Sequence, residues 1–419
     1  MAVRNILILT SSFPYAGGEQ FIETEIKFWV QSEFNNVCIL PNSFKGSLRP
    51  IPDQIKVVGN TTNEKYKFIY IMKAFFSVFF IKELKMLFKN KKFSFINFWA
   101  ALVTCANVIR QKEKINTVVN DFKGEILVYS YWNDVTAYAA CLLKREGKVT
   151  QVISRAHGAD LYKERRKNHY MPMKWQFVND CDAIFLLSFA ALNYYRLNYR
   201  VSNNILNISR LGVEVPNSSP SYFFNKKVLK VLSISYCVEV KRIDKIIDAL
   251  TIYAKDHPVS IEWTHIGGGE LFDTLKAKAE KNANDVSKFN YNFMGQINNS
   301  NIKQILEAKS FDIFINSSES EGIPVSIMEA MSSGIPAIAP DIGGISDLVQ
   351  HKNNGYLISS QANIDEIVEG LEYLHQESIM NTYRIAAKEW ILKEFNAKNN
   401  YSEFIQQINS LAANKNEME

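Results

Sequence analysis

Short apolar runs alternate with longer amphipathic segments along the chain, and this alternation predicts strands connected by helices. In the first half the predicted strands are Ile6–Leu9, Asn36–Leu40, Ile126–Tyr129, Thr150–Ser154, Ala183–Leu187 and Asn204–Ile208. Between the first two strands, apolar residues spaced as on one face of a helix are Phe21, Ile22, Ile26, Trp29 and Val30. The pattern indicates an α/β fold with parallel sheets.

The same pattern starts again after the polar, turn-forming segment 216–221. The strands predicted in this second series are Lys230–Ile234, Ile261–Ile266, Tyr291–Met294, Asp312–Asn316, Ala337–Ala339 and Gly355–Ile358. A chain of 419 residues also exceeds what one hydrophobic core usually serves. We therefore predict two domains of similar architecture, over 1–215 and 225–385, and a helical segment over 386–419 that packs back on the N-terminal domain.

Composition narrows the location and the partners. The five cysteines are odd in number and widely spaced, which argues against a disulfide framework and for a reducing compartment. The N-terminus runs directly into a strand-like segment without the pattern of a signal peptide, so a cytoplasmic location is expected. The net charge of +5 suits an anionic substrate or membrane surface and does not require nucleic acid.

The most hydrophobic stretch, Phe68–Ile81, is shorter than the roughly 20 apolar residues that a membrane-spanning helix needs. It is followed by Lys82–Lys92, where five lysines are interspersed with apolar residues. One interpretation is a basic amphipathic face on the anionic inner surface of the plasma membrane. The other is an ordinary domain helix with one buried and one solvated face.

The motif with the most specific chemistry lies between Ser317 and Pro336. It predicts a strand, a tight turn at Gly322, a helix that starts at Pro324, and a stop at Gly334. The free backbone N–H groups at such a helix start, at Val325 and Ser326, favour a phosphate.

Two carboxylates flank this predicted anion site. Glu321 precedes the helix, and Glu329 lies eight residues further, about one and a half turns into it. Carboxylates would repel a phosphate but are good acceptors for sugar and ribose hydroxyls. Together with the anion site, they predict a site for a nucleotide sugar; a turn-capping acid and a solvated helix residue are the alternative.

A second block, 239–244, places Lys241 and Arg242 at the start of the first helix of the second domain. Two cations at a helix N-terminus are unfavourable with respect to its dipole unless an anion joins them. The natural interpretation is a diphosphate clamp. A surface Lys-Arg pair is the alternative.

Two blocks of the first domain complete the set of candidates. Arg155, His157 and Asp160 follow a predicted strand, and the glycine between the last two allows close approach of a ligand. Arg155 either binds an anionic acceptor or pairs with a nearby acid. Gly17 and Gly18 form a glycine turn between the first strand and the first helix.

Taken together, these motifs resemble the retaining glycosyltransferases of family 4, which have the GT-B fold of two Rossmann-like domains facing across a cleft. The resemblance rests on the block from Glu321 through Gly322, Ile323, Pro324, Val325 and Ser326 to Glu329, then Gly334 to Pro336 and Gly343-Gly344. It implies that Glu321 contacts donor-sugar hydroxyls, Glu329 the ribose, and the intervening amides the diphosphate. It further implies that His157-Gly158-Ala159-Asp160 faces the transferred sugar and that Gly17-Gly18 lies on the acceptor side.

By the same resemblance the expected reaction is transfer, with retention, from a nucleoside-diphosphate sugar such as a UDP- or GDP-sugar to a glycan or lipid-linked acceptor of a surface polysaccharide. Lys241 and Arg242 would stabilise the leaving diphosphate, so that no metal and no cofactor are expected. The chain departs from the family where an arginine usually precedes the lysine: Tyr236 stands there, and Arg242 is expected to replace it.

Two other functions are alternatives to glycosyl transfer. A GT-B protein that binds sugar nucleotide or glycan with little turnover is compatible with Tyr236. A dinucleotide-dependent dehydrogenase is disfavoured, because Gly267-Gly268-Gly269 lacks the last glycine of that fingerprint. Gly268 instead fits the family's donor-side glycine turn.

Overall fold

The structure, a computed structural model, describes residues 3–15, 18–59, 67–216 and 221–414. The chain divides into two compact units. The first unit comprises Met1–Ser209 and Tyr401–Glu419, and the second comprises Arg210–Asn400. The structural boundary thus falls six residues before the predicted one at 215.

The first unit contains one parallel sheet of seven strands in the order β3-β2-β1-β4-β5-β6-β7. The strands are β1 (Arg4–Thr10), β2 (Asn36–Pro41), β3 (Ile55–Val57), β4 (Glu125–Ser130), β5 (Gln151–Ala156), β6 (Ala183–Leu186) and β7 (Leu206–Ile208). The helices are α1 (Ile22–Ile26), α2 (Lys67–Phe75), α3 (Val78–Lys89), α4 (Phe95–Val119), α5 (Val135–Arg145), α6 (Gly158–Leu161), α7 (Lys174–Phe177) and α8 (Phe189–Asn198). This strand order is that of a doubly wound fold, in which successive strands are added on one side of β1 and then, from β4 onwards, on the other side.

Both faces of this sheet are buried. Along β1, Leu7 and Leu9 belong to one hydrophobic cluster, whereas Ile6 and Ile8 belong to another. Successive strand residues point to opposite faces, so a strand covered on both sides reads as a continuous apolar run. This is why the sequence 6–9 shows no polar alternation.

The second unit contains a parallel sheet of six strands in the order β10-β9-β8-β11-β12-β13. Its strands are β8 (Val228–Ile234), β9 (Ser260–Ile266), β10 (Phe289–Phe293), β11 (Ile313–Ile315), β12 (Ala337–Pro340) and β13 (Gly355–Ile358). Its helices are α9 (Ile243–Asp256), α10 (Phe272–Asp285), α11 (Asn299–Ala308), α12 (Val325–Ser332), α13 (Ile345–Leu348), α14 (Ile364–Leu374) and α15 (Glu377–Glu394). The order again reverses, here between β8 and β11.

The last helix, α16 (Ala397–Asn414), returns the chain to the first unit at Tyr401. Phe404 lies fully inside that unit and contacts the rings of Trp29, Tyr129 and Phe185 at centroid distances of 6.1, 5.5 and 4.9 Å. The final helix thus supplies part of the core on one face of the first sheet.

All twelve predicted strands are present, with shifts of a few residues at their ends. The structure adds β3, a three-residue edge strand that is too short to show an apolar period. The helix predicted around Trp29 is shorter than expected: α1 ends at Ile26 and continues as a 3-10 helix over Lys27–Gln31. All five cysteines are buried free thiols. Within the described ranges, no helix is both long and apolar enough to cross a membrane.

Candidate functional site

The switch point of the second sheet brings the two predicted donor blocks together. One loop follows β8 and ends in a 3-10 turn over Glu239–Lys241, and the other follows β11. The Ser317 hydroxyl donates to the backbone carbonyls of Lys241 (2.9 Å) and Arg242 (2.8 Å). The two loops are therefore fixed to each other where open α/β sheets bind their ligands.

Lys241 and Glu321 form an ion pair at this junction. Their Nζ and Oε1 atoms are 2.5 Å apart, and their side chains are 21% and 11% exposed. The Asn316 amide group also donates to Glu321 Oε1, at 3.3 Å. Eighty residues separate the two partners along the chain, so the sequence could predict each of them but not their contact.

Arg242 is already held by two acids. It adopts a left-handed backbone conformation (φ 49°) and caps the start of α9. Its guanidinium pairs with Asp244 at 3.1 Å and with Glu319. The hydrogen bonds that the guanidinium donates, to Asp244 above all and then to Glu319, raise its pKa. The role of Arg242 as the second phosphate cation stays a prediction, and a phosphate would have to share or displace these carboxylates.

The opening of α12 presents the predicted anion site. The helix begins at Val325, with Pro324 as the preceding cap residue rather than the first helical residue. Within the described part of the chain, the N–H groups of Val325 and Ser326 have no hydrogen-bond partner. Unpaired amides and the helix dipole both favour an anion here. The next residue back, Ile323, is buried.

The Gly343-Gly344 turn holds the loop before α12 in place. Gly344 N–H donates to the Gly322 carbonyl at 2.6 Å. Gly343 has φ +57°, and a Cβ at this position would lie 2.2 Å from the Glu321 carbonyl oxygen. Only glycine fits such a close approach, so this turn packs directly against the backbone of Glu321 and holds it in position.

Gly268 lies in a turn that packs on the loop after β8. Its carbonyl accepts a hydrogen bond from Cys237 N–H at 2.8 Å. A Cβ at Gly267, where φ is +149°, would meet the Ser235 carbonyl oxygen at 1.8 Å. The glycines therefore allow two backbone segments to touch at the carboxyl ends of β8 and β9.

Glu329 lies within α12 as a half-buried residue. Burial raises its pKa to about 7, and the more distant charge of Lys303 acts in the opposite direction. A half-buried carboxyl with a pKa near 7 can accept a hydrogen bond from a sugar hydroxyl or donate one to it.

Replacing Glu329 by glutamine should change how the stability of the ligand-free protein depends on pH. Burial favours the neutral acid, so wild-type protein loses stability as the pH rises from about 4.5 to about 7, whereas a glutamine does not ionise. The free energy of unfolding of Glu329→Gln relative to wild type should rise across this window by at most about 3 kcal/mol. Urea denaturation at about pH 5 and about pH 8 measures it; a difference that is the same at both pH values would contradict the assignment.

In the first unit, His157 follows β5 and lies against aromatic rings. Its ring centroid is 5.1 Å from that of Tyr131 and 4.6 Å from that of Trp132. Within the described residues neither imidazole nitrogen has a hydrogen-bond partner, although the residue is only 8% exposed. Burial, with a smaller contribution from Arg155, lowers the pKa of His157 to about 3, so the imidazole is neutral at physiological pH.

Asp160 holds the turn after β5, and its role as a donor-binding residue stays a prediction. Its carboxylate accepts from the backbone N–H groups of His157 (2.5 Å) and Asn133 (2.6 Å), and the residue is 3% exposed. Lys174 donates to the Asp160 carbonyl and to the Asn133 side chain. Asp160 thus positions His157 by bonding the loops after β4 and β5.

The structure corrects the expectation that Arg155 contacts the acceptor. Arg155 is fully buried, and its guanidinium pairs with Glu25 Oε2 at 2.5 Å and donates to the Ser209 hydroxyl at 3.0 Å. The ring of Phe404 lies 4.0 Å from its guanidinium carbon. Of the two roles left open by the sequence, pairing with a nearby acid is therefore the observed one.

The glycine turn of the first unit is built around a residue that sequence reasoning passed over. Gly17 lies outside the described residues, and the Gly18 carbonyl accepts from Arg49 at 2.8 Å. The neighbouring Glu19 is 6% exposed, and its carboxylate accepts from the backbone N–H groups of Ser11, Ser12 and Phe13 at 2.7–2.9 Å. Trp132 Nε1–H also donates to Glu19, at 2.6 Å. The sequence signal that could have identified Glu19 is its position directly after Gly17-Gly18.

Each unit therefore collects its own candidates at the switch point of its own sheet. The second unit brings together Lys241, Arg242, Glu321 and the start of α12. The first unit joins the Gly18-Glu19 turn to the aromatic residues around His157 through Trp132. Both sets stand at the carboxyl ends of parallel strands, the usual place for ligands in this architecture.

Comparison with solved structures identifies the fold. The chain superimposes on the lipopolysaccharide outer core galactosyltransferase WaaB in its apo form with a TM-score of 0.68 at 17% identity, covering 97% of this chain and 99% of WaaB. A variant of TarM from S. aureus, in complex with fondaparinux, α-GlcNAc-glycerol and UDP, matches with a TM-score of 0.67 at 14% identity over 97% and 99% of the two chains. The two Rossmann-like units are those of the GT-B fold.

The family match is narrower and more specific. Residues 214–390 match the family model for glycosyl transferases group 1, so the second unit is a domain of that family. An uncharacterised glycosyltransferase of Haemophilus influenzae is 30% identical over 204 residues, 48% of this chain and 54% of that protein. The chain thus spans about half the length of the curated relatives that it matches.

Proposed function

We propose that the protein is a retaining glycosyltransferase that moves a sugar from a nucleoside-diphosphate donor to a glycan or lipid-linked acceptor in surface-polysaccharide synthesis. The observation that carries the proposal is the junction in the second unit. There Lys241 contacts Glu321, which precedes by four residues the start of α12, where the amides of Val325 and Ser326 have no hydrogen-bond partner among the described residues. A diphosphate needs the cation and the amides, and a sugar needs the acceptor oxygens of the acid.

The site favours departure of the diphosphate. As the bond between the anomeric carbon and the donor phosphate breaks, negative charge develops on the leaving oxygen. Lys241 and the helix N-terminus would stabilise that charge, and they are fixed in place before the reaction. Because these protein groups supply the positive charge, we propose that transfer needs no metal and no cofactor. The leaving diphosphate would help to remove the proton of the acceptor hydroxyl, which then attacks with retention of configuration.

Binding of the donor would exchange partners at Lys241. A phosphate that reaches the amides of α12 competes with Glu321 for the ammonium group, and this frees Glu321 Oε1 to accept from sugar hydroxyls. Glu329, further along α12, would hold the ribose. The neutral imidazole of His157 is proposed to face the transferred sugar, since neither of its nitrogens has a hydrogen-bond partner in the part of the chain that the structure describes.

The names of similar proteins support the class of donor and acceptor. TarM was crystallised with UDP, and WaaB is described as a lipopolysaccharide outer core galactosyltransferase. For this chain we propose a UDP- or GDP-sugar as donor. We also propose that it acts in the cytoplasm, at the inner face of the plasma membrane, on a lipid-linked glycan.

A thermal-shift panel of UDP-, GDP- and ADP-sugars tests this proposal. A true donor at a hundred times its Kd should stabilise the protein by about 2.7 kcal/mol. The panel is run in EDTA, because Lys241 and the amides are proposed to bind the diphosphate without metal. Indifference to every nucleotide sugar would reject the function. Stabilisation without transfer to any lipid-linked or free glycan would instead favour a sugar-nucleotide-binding protein with little turnover, the reading that the two acids on Arg242 leave open.

A further inference from the structure

Large exposed apolar side chains are concentrated in one stretch of the first unit. Of the 25 such residues in the described part of the chain, 13 lie between Phe68 and Val103. Phe76 and Phe95 are 73% and 75% exposed. A concentration of this kind marks an interaction surface, because soluble proteins rarely leave large contiguous apolar areas in water.

These side chains follow the helical period on three successive helices. On α2 they are Phe68, Ile69, Met72 and Phe75, and on α4 they are Phe95, Ile96, Trp99 and Val103. On α3, exposed apolar and basic residues occupy the same face, namely Val78, Ile81, Lys82, Lys85, Phe88 and Lys89. Spacings of three and four residues align each set along one side of its helix.

The charged residues of this stretch are mostly basic. From 67 to 113 the sequence contains nine lysines and arginines and two acids, Glu83 and Glu113, and Glu113 pairs with Lys73. Glu83 is fully buried and accepts from Tyr170 (2.7 Å), Trp175 (2.7 Å) and Gln176 (2.7 Å). It therefore contributes no negative charge to the surface, and it fixes the 170–176 segment against α3.

A basic groove lies beside this face, between α3 and the segments that carry Trp175 and Arg200. It encloses about 870 Å³ and is lined by Lys82, Lys85, Lys89 and Arg200 above an apolar floor that includes Trp175 and Tyr199. No carboxylate lines it. The four cations are exposed and, within the described residues, none of them has an ion-pair partner.

The occupant that fits these observations is a membrane with anionic lipids. Protein interfaces are depleted in lysine, whereas lysines next to exposed aromatic residues are typical of helices that lie in the headgroup region. We propose that the groove binds the phosphate headgroup of an anionic phospholipid while the exposed apolar residues of α2, α3 and α4 enter the outer acyl region. The proposal deepens the proposed function, on which it rests for the lipid-linked nature of the acceptor.

The groove would place the first unit on the surface that carries its acceptor. It uses none of the residues proposed to bind the donor, because Lys241, Glu321 and the start of α12 belong to the other unit. Membrane binding and donor binding can therefore be measured separately, and the failure of one leaves the other standing.

Sedimentation of the full chain with lipid vesicles tests the groove. The protein should bind vesicles that contain phosphatidylglycerol at least tenfold more tightly than vesicles of phosphatidylcholine alone, and salt should weaken this binding. The triple variant Lys82→Ala, Lys85→Ala, Lys89→Ala should lose at least tenfold in affinity, since each lysine near an anionic surface contributes appreciably to binding. A matched control removes three exposed lysines of the second unit, Lys255, Lys276 and Lys281, and should bind as wild type.

A second pair of measurements examines the apolar face and the source of the phosphate. Phe76→Ser and Phe95→Ser should reduce vesicle binding with unchanged thermal midpoints, because both side chains are exposed. Anionic vesicles should shift the tryptophan emission to the blue, and Trp99→Phe should remove most of that shift. Equal binding to neutral vesicles, equal loss in the control triple, or a groove that binds inorganic phosphate but no vesicle would overturn the proposal. So would an apolar face that instead forms a dimer in solution.

Discussion

Replacing Lys241 by alanine is expected to lower glycosyl transfer by about a thousandfold. A fixed cation at the point where charge develops contributes about 3–4 kcal/mol in a water-poor site. Lys241 is 21% exposed and contacts Glu321, so its loss also leaves that carboxylate without its cation beside the incoming diphosphate. Steady-state kinetics with the donor identified by the thermal-shift panel measure the effect on kcat and KM.

The matched control for this variant is Lys255→Ala, since Lys255 is exposed on the same unit, at the far end of α9. It should retain wild-type turnover. The thermal midpoint of Lys241→Ala without ligand should stay within a few degrees of wild type, because the pair that it breaks is partly solvated. Normal turnover in Lys241→Ala would show that the reaction does not depend on this cation, which contradicts the proposed role of Lys241.

Replacing Arg155 by methionine is expected to produce the largest loss of stability. The Arg155–Glu25 pair is completely buried, and removing one partner leaves an uncompensated carboxylate inside the first unit. Such a change destabilises by about 3–5 kcal/mol. The thermal midpoint should fall by roughly 10 °C, given the size of the unit. Calorimetry or the fluorescence of Trp29, which packs in the same core, measures the change.

Two controls separate the buried charge from the loss of packing. The double variant Arg155→Met, Glu25→Gln should recover much of the loss, because it removes the unpaired charge as well. Lys73→Met breaks an exposed pair with Glu113, where the two side chains are 48% and 46% exposed, and should cost less than about 1 kcal/mol. If Arg155→Met were as stable as the exposed variant, its interpretation as a structural residue would be wrong.

The donor block illustrates how far local sequence carries. Pro324, the apolar helix that follows it and Gly334 specify a strand, a turn and a helix with open amides, because each depends on local backbone preferences. The position of Glu329 inside that helix follows from the helical period. Nothing local to this block indicates that Lys241, eighty residues earlier, lies 2.5 Å from Glu321.

Arg155 and Asp160 show which contacts local reasoning cannot supply. Arg155 lies near the carboxyl end of β5 and Asp160 lies in the short helix α6 that follows, a position that is typical of binding sites. Their partners are Glu25 of α1 for Arg155 and the backbone of Asn133, in the loop after β4, for Asp160. A charged side chain next to a site is functional or structural according to what packs around it, and its neighbours in sequence do not decide this.

By itself, the sequence determined the alternation of strands and helices, the two similar units and the turn that precedes α12, because hydrophobic period, proline and glycine act over a few residues. Only the tertiary structure decided which charges meet. In both parallel sheets the order in which successive strands are added reverses, between β1 and β4 and between β8 and β11. Each reversal brings loops from distant parts of the chain to one edge of the sheet. Ion pairs, burial and shifted pKa values arise at those edges because they depend on distance in space.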